Sequence, residues 1–183
     1  MRIFVLNRAA ATTLIPQFPH AMISISTPDM GGNAKMSATD RLMRGQGPAN
    51  LPETENRKKL HRVSFHDADL DRDATKRKTS LFKTYFTFDM ARRIWEFVDT
   101  IPSAGEDLIV HCDGGLSRSP AIAAAIGKTL GGDDEYIFDR YNPNRFVYGM
   151  MMRTAGNRQA QLPIEYGDYH GRHQTEFKHK GDK

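Results

Sequence analysis

The sequence predicts a single α/β domain, in which a central, mostly parallel sheet of about four or five strands is flanked by helices. Three observations lead to this class. The chain has 183 residues, which suits one ordinary core and is too short for two. Hydrophobic residues make up 39 % of it, enough for a packed interior. Strand-like and helix-like runs alternate in the middle of the chain, which is typical of parallel sheets.

Four strands are predicted from short β-branched or alternating apolar runs. They are RIFVLN at 2–7, AMISIST at 21–27, HRVSF at 61–65 and DLIVHC at 107–112. The second run stops at Pro28. The polar, glycine-containing stretch from 28 to 60 is expected to be a long loop with a short helix around 38–44.

Four helices are predicted in the second half of the chain, at 87–102, 117–132, 133–141 and 142–156. The first has apolar residues at helical spacing and closes at Pro102. The second has Pro120 in its first turn, where a missing N–H is tolerated, and a glycine pair at its end. The last can be capped by Asn142 or Asn144.

The domain is expected to span residues 1–156, with residues 157–183 forming a polar, basic and weakly ordered tail. The formal net charge is +4, and basic runs occur at 57–62, 72–78 and 170–183. Such runs usually form solvated surface, and no aromatic residues are interleaved as in a base-stacking surface. Nucleic acid is therefore not the expected partner. No apolar run approaches the length of a membrane span and no secretory signal is visible, so a cytoplasmic protein without a membrane partner is expected. We also expect it to be a monomer.

The only cysteine, Cys112, lies in the stretch VHCDGGLSRSPAIAAAI at 110–126. A single thiol can form neither an intrachain disulfide nor a multi-thiolate zinc site. A strand, a glycine turn and a helix start follow one another here, so backbone N–H groups and the helix dipole converge on one point. We expect this loop to bind phosphate, and its residues are Asp113, Gly114, Gly115, Leu116, Ser117 and Arg118.

The chemistry expected at this loop is nucleophilic. Surrounding N–H groups and Arg118 should lower the pKa of the Cys112 thiol into the range of roughly 3.5 to 7.5, which makes it a thiolate at neutral pH. The planar guanidinium of Arg118 can bind two phosphoryl oxygens side by side and favours the transition state. Ser119 can donate a hydrogen bond to the sulfur and make it a better leaving group.

The pattern His111-Cys112-x-x-Gly115-x-x-Arg118-Ser119 resembles the signature of the cysteine-based protein tyrosine phosphatase superfamily. The late position of the loop and the serine after the arginine are similar to the dual-specificity branch. RVSFHDAD resembles the strand and turn that carry the family's acid, and NPNRFVYGMM resembles the start of a late helix. The resemblance covers residues 1–156. It implies metal-independent hydrolysis of phosphorylated proteins or peptides through a phosphocysteine intermediate, with no cofactor.

A general acid must protonate the departing oxygen, and one loop offers four candidates, Asp67, Asp69, Asp71 and Asp73. Alternation alone does not choose between them. The resemblance places the acid just after the strand, on Asp67, with Asp69 second. The spacing, 112 − 67 = 45 residues, is long for this branch, and the basic segment RDATKRKTS accounts for the excess. His111 is expected to hold the loop, and Asn142 or Asn144 to support it from behind.

Two other functions remain open. A phosphopeptide-binding pseudophosphatase would keep the pocket but misplace the acid, which the long spacing allows. An RNA 5′-phosphatase would use the basic runs. An arsenate reductase needs further thiols for its redox cycle, and this chain has one cysteine.

Overall fold

A computed structural model of the chain describes residues 1–28, 48–69, 84–102, 105–158 and 163–181. The strands are β1 (Arg2–Asn7), β2 (Leu14–Pro16), β3 (His20–Ser26), β4 (Arg57–Ser64), β5 (Asp107–Cys112), β6 (Glu165–Gly167) and β7 (Phe177–His179). The helices are α1 (Arg8–Thr13), α2 (Phe88–Val98), α3 (Arg118–Thr129), α4 (Glu135–Arg140), α5 (Arg145–Thr154) and a 3₁₀ turn (Gln174–Glu176).

Five strands form one parallel sheet in the order β4-β3-β5-β1-β6, and β2 pairs with β7 in a small antiparallel ribbon. This confirms the predicted class, a single α/β domain with a parallel sheet between helices. β5 lies at the centre, and its six residues DLIVHC are almost wholly buried, as expected for a strand covered on both faces.

The two faces of the sheet have separate cores. On one face α2, α3 and α5 pack over residues such as Ile23, Trp95 and Val110. On the other, α1 and the β2–β7 ribbon cover Phe4 and Ile109. The chain therefore leaves neighbouring strands β1 and β5 towards opposite faces. Such a divergence opens a crevice at the carboxyl ends of parallel strands, where ligands bind in α/β folds.

The same two strands are joined at their other ends by an ion pair. Arg2, at the start of β1, donates from Nη2 to Asp107 Oδ2 at 2.6 Å, and its side chain is 25 % exposed. Its Nη1 bonds Glu176 at 2.7 Å, which brings the C-terminal segment to the sheet. Asp107 opens β5, so this contact lies at the end of the sheet opposite Cys112.

The prediction of a weakly ordered tail after residue 156 is wrong. Residues 165–167 form edge strand β6, which pairs with β1, and residues 177–179 pair with β2. The domain thus continues to the last described residues. Three-residue strands in a polar context carry too little periodicity to be found from the sequence. Strand β4 also begins at Arg57 rather than 61, so the predicted loop is shorter at its end, while its possible helix at 38–44 lies outside the described residues.

The cations of the basic run at 57–62 lie at exposed or half-buried positions, and each of them also donates to a backbone carbonyl. Lys59 donates to the carbonyl oxygen of Thr100, and three others donate to neighbouring backbone carbonyls. These are Arg57 to Pro52 at 2.7 Å, Lys58 to Glu55 at 2.9 Å and Arg62 to Ala49 at 3.1 Å. These hydrogen bonds therefore join neighbouring segments of the chain to the edge strand β4. Among the described residues, none of the helices has the length and apolar character needed to cross a bilayer.

Candidate active site

Cys112 is the last residue of β5, which lies between β1 and β3, and it is at the carboxyl edge of the sheet beside the crevice between β1 and β5. Cys112 is buried, with 2 % of its surface exposed. Its neighbour in register on β1 is Asn7, where the chain turns into α1. The nucleophile predicted from the sequence thus lies at the point where the topology places a ligand crevice.

The sulfur is held by two donors from the loop that follows it. The N–H of Gly115 lies 3.2 Å from Sγ, and Ser119 donates to Sγ from its hydroxyl at 3.1 Å. Gly115 has a φ of +69°, and a Cβ placed there would lie 2.9 Å from the backbone nitrogen of Asn7. Only glycine fits this position without strain. The turn between Cys112 and α3 therefore depends on it.

The loop is supported from behind by the segment that precedes α5. The carbonyls of Leu116 and Ser117 accept from the N–H groups of Asn142 and Asn144, both at 3.1 Å. Asn144 also caps α5, because its Oδ1 accepts from Val147 N at 3.0 Å. Both proposed roles of these asparagines, support of the loop and helix capping, are thus present in Asn144.

Arg118 opens α3 and is 3 % exposed. A guanidinium has five N–H groups. Nη1 donates to Phe65 O at 2.8 Å and to Thr27 Oγ1 at 3.1 Å, and Nη2 donates to Asp113 Oδ2 at 2.6 Å. Nε is buried and has no hydrogen-bond partner among the described residues. Among the described residues, two donors therefore have no acceptor, and they lie on adjacent nitrogens, one on Nε and one on Nη2.

The side chain of Asp113 is held between two arginines. Oδ2 accepts from Arg118 and from Thr27 Oγ1, each at 2.6 Å, and Oδ1 accepts from Arg8. Burial alone would raise the pKa of Asp113, but the hydrogen bonds from Thr27, Arg118 and Arg8 and the charge of Arg118 outweigh it and hold that pKa below its usual value. The carboxylate is therefore a fixed negative charge that orients Arg118.

Of the four acid candidates, Asp67 lies against the loop. Its Oδ1 accepts from Ser117 Oγ at 2.8 Å and from Asn144 Nδ2 at 3.0 Å, and the residue is exposed. Asp69 is turned to the start of α5, where its Oδ2 accepts from Arg145 N at 3.2 Å. Asp71 and Asp73 lie outside the described residues. The order of preference derived from the resemblance, Asp67 before Asp69, stays a prediction.

His111 points to the face of the sheet opposite Cys112. It is fully buried, and neither ring nitrogen has a hydrogen-bond partner within the described part of the chain. Burial, reinforced by the positive charge of Arg8, lowers the pKa of His111 to about 4. The ring is therefore neutral at pH 7 and fills space beside the loop.

Leu116 and Gly114 form the outer part of the loop. Leu116 is 62 % exposed, and a Cβ on Gly114 would meet nothing within 4 Å. A separate cleft of about 520 Å³ lies between α1 and the C-terminal segment, and its lining includes Asn7 but neither Cys112 nor Arg118. The sulfur of Cys112 thus lies outside this cleft.

Sequence reasoning missed three groups of the site, which are Thr27, Arg8 and the carbonyl of Phe65. Thr27 follows β3 and Phe65 follows β4, so both lie at the carboxyl edge once the strand order is known. A polar residue at the end of a predicted strand or directly after it is a signal that could have found Thr27 and Arg8.

Comparison of the chain with protein-family models, with curated proteins and with solved structures finds no match.

Proposed function

We propose that the protein is a phosphomonoester hydrolase of the cysteine-dependent type, acting on phosphorylated proteins or peptides. The observation that carries this proposal is the donor pattern of Arg118. Within the described ranges, three of its N–H groups are used by protein acceptors, and the two without an acceptor there are on Nε and Nη2. Adjacent donors of this kind match two oxygens of one phosphoryl group, and a buried unpaired donor calls for such an acceptor.

The contacts around the sulfur support the first half of the reaction. The Cys112 thiolate attacks phosphorus, the bond from phosphorus to the substrate oxygen breaks, and that oxygen leaves with a proton from an acid. Gly115 N–H and Ser119 Oγ donate to Sγ and so favour its negative charge. Water then attacks the phosphocysteine, the P–S bond breaks, and inorganic phosphate is released. Ser119 stabilises the departing thiolate in this second step.

We assign the acid to Asp67, which reaches the loop through Ser117. The same carboxylate would accept a proton from the attacking water in the second step. A reducing compartment such as the cytoplasm suits this mechanism, because a lone thiol stays reduced there.

The test is hydrolysis of p-nitrophenyl phosphate in the presence of a chelator, together with mass spectrometry of the rapidly quenched enzyme. We expect turnover by the wild type and an added phosphoryl group on Cys112. Cys112→Ser should abolish both, and Arg118→Lys should lower kcat/KM by about a hundredfold or more, because a point charge cannot bind two oxygens side by side. Undiminished activity in Cys112→Ser would overturn the proposal.

A phosphopeptide-binding protein with slow turnover is the second candidate. It is favoured by one observation, that Asp67 Oδ1 already accepts two hydrogen bonds from Ser117 and Asn144. An acid held in this way could be a loop support instead of a proton donor. Stable capture of a phosphotyrosyl peptide without phosphate release, and an unchanged rate in Asp67→Asn, would select this candidate. A fall of roughly tenfold or more in that variant would select the hydrolase.

A further inference from the structure

Arg8 lies outside the cysteine motif but is joined to it by three contacts. It is the first residue of α1, directly after β1. Its Nε and Nη2 both donate to Asp113 Oδ1, at 2.8 and 2.6 Å, and its backbone N–H bonds the carbonyl of Asp113 at 3.2 Å. The two side chains are 12 % and 20 % exposed, so the ion pair is shielded from water.

Asp113 therefore divides its two oxygens between two arginines. Oδ1 is taken by Arg8, while Oδ2 is taken by Arg118 and Thr27. If Arg8 were absent, Oδ1 would lose both of these donors in a partly buried position, which is costly for a carboxylate. Arg118 is the cation already bonded to Asp113, and the donors it has left are those that phosphate would need.

We infer that Arg8 is a positioning residue for oxyanion binding: it satisfies Asp113 and thereby keeps the Nε edge of Arg118 available for phosphate. The inference rests on the proposed function. Without Arg8, Oδ1 of Asp113 would compete with phosphate for the Nε and Nη2 donors of Arg118. Loss of Arg8 should therefore weaken oxyanion binding and raise KM. Removal of the charge of Asp113 in the same chain should reverse both effects.

The experiment is titration calorimetry with tungstate, a phosphate-shaped oxyanion, which needs no turnover. Arg8→Met should weaken binding roughly tenfold to a hundredfold, the value of a lost charge-assisted contact. Arg8→Lys should restore part of the affinity, and Arg8→Met combined with Asp113→Asn should bind tungstate more tightly than Arg8→Met alone. KM for p-nitrophenyl phosphate should change in parallel and more than kcat.

Arg2→Met is the matched control, because Arg2 pairs with Asp107 at the opposite ends of the same two strands. It removes a similar ion pair and should leave tungstate affinity within twofold. If the wild type binds no tungstate, both the proposed function and this inference fail. If the wild type binds and Arg8→Met binds equally well, or the double variant binds more weakly still, only the inference fails. Should Arg8→Met not fold, the neutral variant Arg8→Gln decides, and wild-type affinity there contradicts the inference.

Discussion

Two neighbouring glycines of the loop should respond in opposite ways to the same substitution. Gly115 has a φ of +69°, and an added Cβ would lie 2.9 Å from Asn7 N and 3.0 Å from its Cα. Both contacts are with the backbone of the residue that ends β1, which cannot move without disturbing the sheet. Around a Cβ on Gly114 nothing lies within 4 Å. Gly115→Ala is therefore the perturbation and Gly114→Ala its control.

The expected cost follows from two contributions. An alanine held in the left-handed region costs about 1 to 2 kcal/mol, and forcing a methyl group against a fixed backbone adds about 1 to 3 kcal/mol. Gly115→Ala should thus lower the free energy of unfolding by about 2 to 5 kcal/mol. Gly114→Ala should leave it unchanged or raise it by up to about 1 kcal/mol, because alanine restricts the unfolded chain.

The assay is urea denaturation of both variants, followed by hydrolysis of p-nitrophenyl phosphate under conditions where each is folded. The Gly115 N–H bonds the sulfur at 3.2 Å, so a shifted loop should also lower kcat/KM by about tenfold or more. Gly114→Ala should lose less than threefold. Equal stabilities of the two variants, within about 0.5 kcal/mol, would refute the reasoning.

Three further predictions concern His111, Asn144 and Gly127. The pKa of His111 is about 4 in the fold against 6.5 for an ordinary histidine, so the unfolded chain takes up the proton first as the pH falls. Stability should therefore be full above about pH 6.5 and be lost towards pH 4, with about 2 kcal/mol lost between pH 7 and pH 5 in urea denaturation. An undiminished slope in His111→Phe would contradict this. Asn144→Ala should cost about 1 to 2 kcal/mol through the lost cap of α5, measured by the same denaturation. Asn144→Ser should keep the cap but lose the amide bond to Asp67, so a full loss of stability there would disprove the capping role. Gly127→Ala would place Cβ 2.1 Å from the hydroxyl of Tyr166 and should lower Tm, and Tyr166→Phe in the same chain should recover part of the loss. No recovery would show that the overlap is not the cause.

Some strands and helices could be predicted from the sequence alone, and others could not. The strand at 2–7 and the strand at 107–112 were predicted with the bounds that the structure has. Both strands are almost continuous apolar runs, as expected for parallel strands that are covered on both faces of the sheet. By contrast, α1 and β6 were missed, and β6 is only three residues long. Short elements at an edge are held by a neighbouring strand, and their own residues carry no periodic signal.

The loop after β4, which carries the four aspartates, could not be interpreted from the sequence for a different reason. The local pattern of the sequence does not choose between the four aspartates, because a charged loop has no periodicity, and only the resemblance ranks Asp67 first. The structure brings Asp67 to Ser117 across 50 positions and turns Asp69 towards Arg145. Distances of this kind depend on how β4 and α5 meet the loop. No local pattern contains them.

The strand, glycine turn and helix start from Asp107 to Thr129 follow from the sequence alone, since the backbone angles of a contiguous stretch depend on its own residues. The sequence alone therefore predicts that Cys112 and Arg118 lie at the two ends of one loop. The strand order β4-β3-β5-β1-β6 decided what surrounds that pair. Parallel strands that are neighbours in the sheet are distant in the chain, so only the tertiary structure could bring Arg8 and Thr27 onto Asp113. It also decided that two donors of Arg118 have no acceptor among the described residues.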